Sequence, residues 1–94
     1  VSHFVVEYIY SDATIPGRDE HRGTHRDWLR TLVADGRLVV SGPYDDGSGA
    51  LLIFLVEDEA ALRALLAEDP FSIEKLIDDV RIVAWTPVLG SLTV

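Results

Sequence analysis

Hydrophobic positions recur every second residue from His3 to Tyr10, with Phe4, Val6, Tyr8 and Tyr10 on one face and Val5, Glu7 and Ile9 on the other, which is the period of a strand. Polar and turn-forming residues from Ser11 to Gly17 stop it. The period then lengthens: Trp28, Leu29, Leu32 and Val33 form one stripe of a helix predicted over Arg18–Ala34, and Asp35-Gly36 supplies its exit. Gly23 costs that helix about 1 kcal/mol relative to alanine, so a start later than Arg18 is allowed. Arg37–Ser41 reads as a short strand, Gly42–Gly49 as a turn and Ala50–Val56 as its hairpin partner. Asp58 is an N-cap with Glu59 in the first turn, and Leu62, Leu65 and Leu66 give a second helix its buried face. Pro70 is expected to end that helix. Phe71–Asp79 has room for one more helical turn, and Val80–Thr86 is a last strand that Pro87 closes.

The order β-α-β-β-α-β predicts an α+β, ferredoxin-like domain: a four-stranded antiparallel sheet with two helices on one face. The second face is then bare. Ala50–Val56 carries Leu, Ile, Phe and Val on both faces, whereas a sheet with one wet face alternates apolar and polar. A second copy of the chain, packing sheet against sheet as a homodimer, is the simplest cover. A bound ligand or the tail Val88–Val94 folding back are the alternatives.

With 94 residues and 48% apolar content, the chain is expected to be one domain, 1–94, with a core small enough to favour association. Sixteen acidic against eight basic residues leave a formal charge of −8, which repels phosphate backbones and anionic lipid and argues against nucleic acid or a membrane surface as partner. No apolar run approaches the about 20 residues of a membrane helix. The absence of cysteine rules out thiolate metal sites and cysteine nucleophiles and fits a cytoplasmic setting. The sequence opens on Val1 and contains no methionine, so its start is expected to be trimmed or incomplete.

Two residues stand out chemically. His25 lies four residues before Leu29 and seven before Leu32, which turns it toward the sheet, and Arg22 one turn earlier could hold an anionic group beside it. Asp69 continues the face of Leu62, Leu65 and Leu66 just before Pro70, where the negative end of a helix disfavours an acid unless a cation or donor compensates. Two readings of Asp69 stay open, a partner for a histidinium or arginine and a cap on the turn at Pro70-Phe71. Likewise His25 reads either as a general acid/base or as a core histidine bonded to backbone. Ser41 could donate a hydrogen bond at the mouth of such a site, and Gly42-Pro43 could bring backbone N–H groups close to a ligand. Phe4, Tyr8, Phe54 and Trp85 are available to line a pocket, although strand aromatics are more often core. His21 and His25, four apart, invite a metal, but neither an H-E-x-x-H motif nor a third ligand is evident, and no metal is assigned.

The succession Arg22-x-x-His25, Trp28-Leu29, Asp35-Gly36, Ser41-Gly42-Pro43 and Asp69-Pro70-Phe71, closed by Ile82–Pro87, resembles the YCII-related (YciI-like) family over nearly the whole chain. The resemblance implies a ferredoxin-like protomer of a dimeric α+β barrel, with an active site built around His25 and Asp69, and with Arg22, Ser41 and Gly42 in the surrounding motif. It implies lyase or isomerase chemistry on a small cyclic or aromatic molecule without a cofactor; a non-catalytic ligand-binding or interaction module is the other expectation. The loop Tyr44-Asp45-Asp46-Gly47-Ser48 departs from that pattern and is expected to add two acids at the mouth, against an anionic substrate.

Overall fold

The computed structural model describes residues 1–91. Strand β1 (Ser2–Ile9) leads through a 3₁₀ turn (Asp12–Thr14) into helix α1 (Ile15–Ala34), followed by β2 (Leu38–Pro43), β3 (Gly49–Val56), α2 (Glu59–Leu66), the one-turn helix α3 (Pro70–Ile73) and β4 (Asp79–Trp85). All pairings are antiparallel in the order β2-β3-β1-β4, which is the ferredoxin-like α+β arrangement with β1 and β3 at the centre. Val6 stands opposite Leu52 and Ile82, and Phe4 opposite Phe54 and Ala84, so one face of the sheet presents a continuous apolar surface. Leu32 from α1 and Leu62, Leu65 and Leu66 from α2 close over it and complete the core. Burying each such side chain contributes roughly 1.5–3 kcal/mol.

Local signals explain most of the element ends. Helix α1 stops in a Schellman turn: the Arg37 N–H reaches the Leu32 carbonyl at 3.0 Å, the Gly36 N–H reaches Val33 at 3.2 Å, and Gly36 takes the left-handed φ of 85°. Asp58 caps α2 by accepting the Ala61 N–H at 2.8 Å. At Gly49 a Cβ would lie 2.0 Å from the Tyr8 carbonyl oxygen, so only glycine lets β3 approach β1 there.

Five expectations need correction. Helix α1 starts at Ile15, before Arg18 and not after it, because Pro16 sits in the first turn where its missing N–H costs nothing. Val33 is 55% exposed and does not join the buried stripe. Gly42 and Pro43 belong to β2, where an edge strand tolerates proline, and the hairpin closes at Tyr44 N–H to Gly49 O, 2.9 Å. Helix α2 ends at Leu66, and Pro70 opens α3 instead of closing α2. The last strand begins one residue earlier and ends at Trp85.

The sheet face away from the helices carries Val5, Ile53, Leu55, Leu51, Val83 and Trp85, and the last two and Leu51 remain 37–38% exposed. Val88 and Leu89 are 82% and 93% exposed, so this part of the tail does not cover that face; the rest of the expected tail, 92–94, lies outside the described residues. Among the described residues no helix is long and apolar enough to cross a membrane.

Candidate active site

Three elements converge on one carboxylate. The phase of α1 that buries Leu32 also turns His25 inward, where it is 8% exposed. Asp69, fully buried between α2 and α3, faces it with Oδ1 2.7 Å from Nδ1 of His25. From the helix-facing side of β1, the Tyr8 hydroxyl donates to Oδ2 of Asp69 at 2.8 Å. The Phe71 N–H donates to Oδ1 at 2.9 Å, so Asp69 is the N-cap of α3 and not the last residue of α2. The two readings left open for this acid are therefore both correct: it caps the turn and it partners the histidine. Phe71 also stacks flat on the imidazole, 3.8 Å between centroids and 4° between planes.

A carboxylate can only accept, and Asp69 already accepts from Tyr8 and Phe71, so its contact with His25 calls for the tautomer with the proton on Nδ1. Nε2 is the nitrogen left over. It has no partner among the described residues, and no buried side-chain nitrogen or oxygen lacks one, so Nε2 stays open to the cleft that His25 lines. Burial, followed by the charge of Asp69, pushes the Tyr8 hydroxyl far above its ordinary value, which keeps it a neutral donor. Tyr10 is pushed up to about 12 by burial and by Asp69, against the opposing pull of Arg18 and Arg22.

The cleft has a volume of about 500 Å³ and runs between α1 and the β2–β3 hairpin. Arg22, with Nη1 2.7 Å from Asp19, lies on the α1 wall, while Ser41 and Gly42 lie on the facing wall of β2. His25, Arg22, Ser41 and Gly42 thus share one cavity. Asp69 does not line it; the acid stands behind His25 and can act only through it. Of the available aromatics, Tyr8 reaches the cleft, Phe4 and Phe54 are core, and Trp85 sits on the opposite sheet face against His3. Asp45 and Asp46 do not line the cleft, to which their loop contributes Gly47.

Tyr8, Phe71 and Arg18 were not singled out from the sequence. Tyr8 had a usable signal, because a tyrosine on the buried face of a central strand must find a partner for its hydroxyl. Arg18 is 7% exposed, stacks over Tyr10 at 4.2 Å and donates to Ser11 O at 2.9 Å and Thr14 Oγ1 at 3.1 Å, tying the 3₁₀ turn to α1. His21 faces Glu74 at 3.5 Å, and among the described residues no three His, Cys, Asp or Glu side chains gather as metal ligands.

A ferredoxin-like α+β sandwich whose inward histidine is held by a buried aspartate at the floor of a helix-to-hairpin cleft defines the class. The model of the YCII-related domain matches residues 3–86, and the chain belongs to that family. Among solved structures it is similar to 5-chloro-2-hydroxyhydroquinone dehydrochlorinase (TftG) from Burkholderia phenoliruptrix AC1100, in complex with 2,5-dihydroxybenzoquinone, with TM-score 0.79, 22% identity and coverage of 89% of this chain and 93% of that one. It is also similar to a protein from Bacteroides thetaiotaomicron VPI-5482 assigned as an antibiotic biosynthesis monooxygenase, with TM-score 0.61, 13% identity and coverage of 99% and 94%. No curated protein sequence matches significantly.

Proposed function

We propose that this protein is an enzyme of lyase or isomerase type that moves a proton on a small cyclic or aromatic substrate, using an acid/base pair and no cofactor. The observation that carries the reading is the 2.7 Å contact between Nδ1 of His25 and Asp69, which leaves Nε2 facing a cleft of about 500 Å³. In this reading Nε2 accepts a proton from the substrate. Returning it at another position completes an isomerisation; loss of a leaving group with its bonding electrons completes an elimination. Asp69 positions the imidazole and stabilises the imidazolium, and Tyr8 holds Asp69. Arg22, Ser41 and Gly42 are the substrate-binding groups. That a dehydrochlorinase of a hydroxylated ring shares the fold supports a ring as substrate. The working form is a homodimer paired through the bare sheet face, which the apolar residues on that face support.

The test compares His25→Ala and Asp69→Asn with the parent on a panel of hydroquinones and lactones, following turnover and thermal unfolding together. The expected outcome is a folded His25→Ala protein whose kcat/KM falls by about 10²–10⁴-fold, with a smaller loss for Asp69→Asn. Lost stability with no effect on any ligand would instead mark the pair as a structural contact of a non-catalytic module.

A further inference from the structure

The cleft of this acidic chain is lined by basic and not by acidic side chains. Four of its eight basic residues, Arg18, Arg22, Arg26 and Arg30, follow one another at four-residue intervals on α1, and all four line the cavity. With 1.5 Å of rise per residue they form a ladder roughly 18 Å long. None of the sixteen acidic residues stands on that wall. The carboxylates that pair with the ladder, Asp19 on Arg22 and Asp27 on Arg30, are 61% and 77% exposed and lie outside the cleft.

Two guanidinium groups keep binding capacity. The Arg26 side chain makes no hydrogen bond or ion pair among the described residues. Arg18 is fixed by Thr14, Ser11 and Tyr10 through Nε, Nη2 and its face, and has no carboxylate partner. Its Nη1 is unbonded, and because no buried nitrogen in the described residues lacks a partner, that atom is open. A buried, pre-oriented guanidinium with a free N–H and an unpaired one two turns along are fitted to a planar oxyanion. On the opposite wall Leu38, Ala50 and Leu52 offer apolar surface to the body of a ligand, with Ser41 beside them.

We infer that the natural ligand of this cleft carries an acid group, a ring-borne carboxylate, held by the arginines of α1 while its ring lies against the hairpin wall near His25. The inference rests on the proposed ring chemistry for the identity of the ligand's body, and on the arginine ladder for its charge. A net −8 chain with a local positive wall also disfavours long polyanions, since only a small acid fits inside the basic zone without meeting the acidic surface around it.

The test is calorimetric titration of the full chain with two matched compounds, 2,5-dihydroxybenzoate and hydroquinone, at low and high salt. The acid is expected to bind at least about tenfold tighter, the worth of one charge-assisted contact. The gap should narrow in salt and narrow likewise in the Arg26→Gln variant, whose side chain is exposed, while Arg18 keeps the remainder. Equal affinity for both compounds, or preference for hydroquinone, overturns the inference and leaves the proposed proton transfer standing. Tight binding of the acid with no turnover of any ring compound does the reverse. If neither compound binds, the inference falls, and turnover of the hydroquinone and lactone panel decides the proton transfer separately.

Discussion

Asp69 holds three donors on two oxygens, and each comes from a different part of the chain: Tyr8 from β1, His25 from α1 and Phe71 from α3. Oδ1 takes two of them and Oδ2 only that of Tyr8, so removing the Tyr8 hydroxyl leaves a fully buried carboxylate oxygen without a partner, which costs about 1–3 kcal/mol. Tyr8→Phe is therefore expected to lower stability by that amount at pH 7, read by denaturant unfolding, and to change its pH dependence as well. The fold raises the Tyr8 hydroxyl above its ordinary value of 10.0. Its stabilisation is complete below pH 10 and is lost as pH rises further, because the unfolded chain then releases a proton that the folded chain keeps. Tyr8→Phe should flatten the loss of stability above pH 10, leaving the part due to Tyr10, which is pushed up to about 12. A variant as steep as the parent in alkali would contradict this. His25 was legible in the sequence because helical phase alone turns it inward; Asp69 was legible as a cap before Pro70-Phe71 and through that motif, whereas its placement at the end of α2 was wrong, since the acid starts α3. Tyr8 read as core or as pocket lining, since alternation assigns a face and says nothing of what a hydroxyl on that face must bond.

The elements divide their labour. Helix α1, the β2–β3 hairpin and α3 build the cleft, whereas α2 covers the sheet and contributes no cleft residue. Loss of the α2 cap through Asp58→Ala should thus cost about 1 kcal/mol of stability and leave ligand affinity unchanged. Thermal unfolding paired with the titrations above checks this, and a drop in affinity would show that the two halves are coupled. Element existence and order were readable because each strand and helix has its own period. Ends were less so where proline was involved. Pro16, Pro43 and Pro70 all read as punctuation, yet each lies inside an element at a position that needs no N–H: first turn, edge strand, first turn. Which backbone N–H groups a fold needs is a tertiary fact, and residue spacing does not carry it.

At the scale of the molecule, the sheet has one finished face and one unfinished. Val5 sits at the middle of the unfinished one, opposite Ile53 on β3 and Val83 on β4, with Leu51, Leu55 and Trp85 around it. Chains that leave such a surface to water lose the benefit of burying it, and a stable pairing needs about 800 Å² per partner, which a four-stranded sheet face can provide. Self-pairing also leaves the cleft free, because the cleft opens on the helix side. The proposed dimer makes the parent run at twice the 10.4 kDa chain mass in light scattering at tens of micromolar. Val5→Glu places a charge at the centre of both copies of the face, where burial without a partner is prohibitive, and should yield a folded species at 10.4 kDa. The parent running at 10.4 kDa would defeat the pairing, as would a Val5→Glu protein that stays dimeric. The cleft residues would be untouched by either result, since none of them lies beneath Val5 on that face.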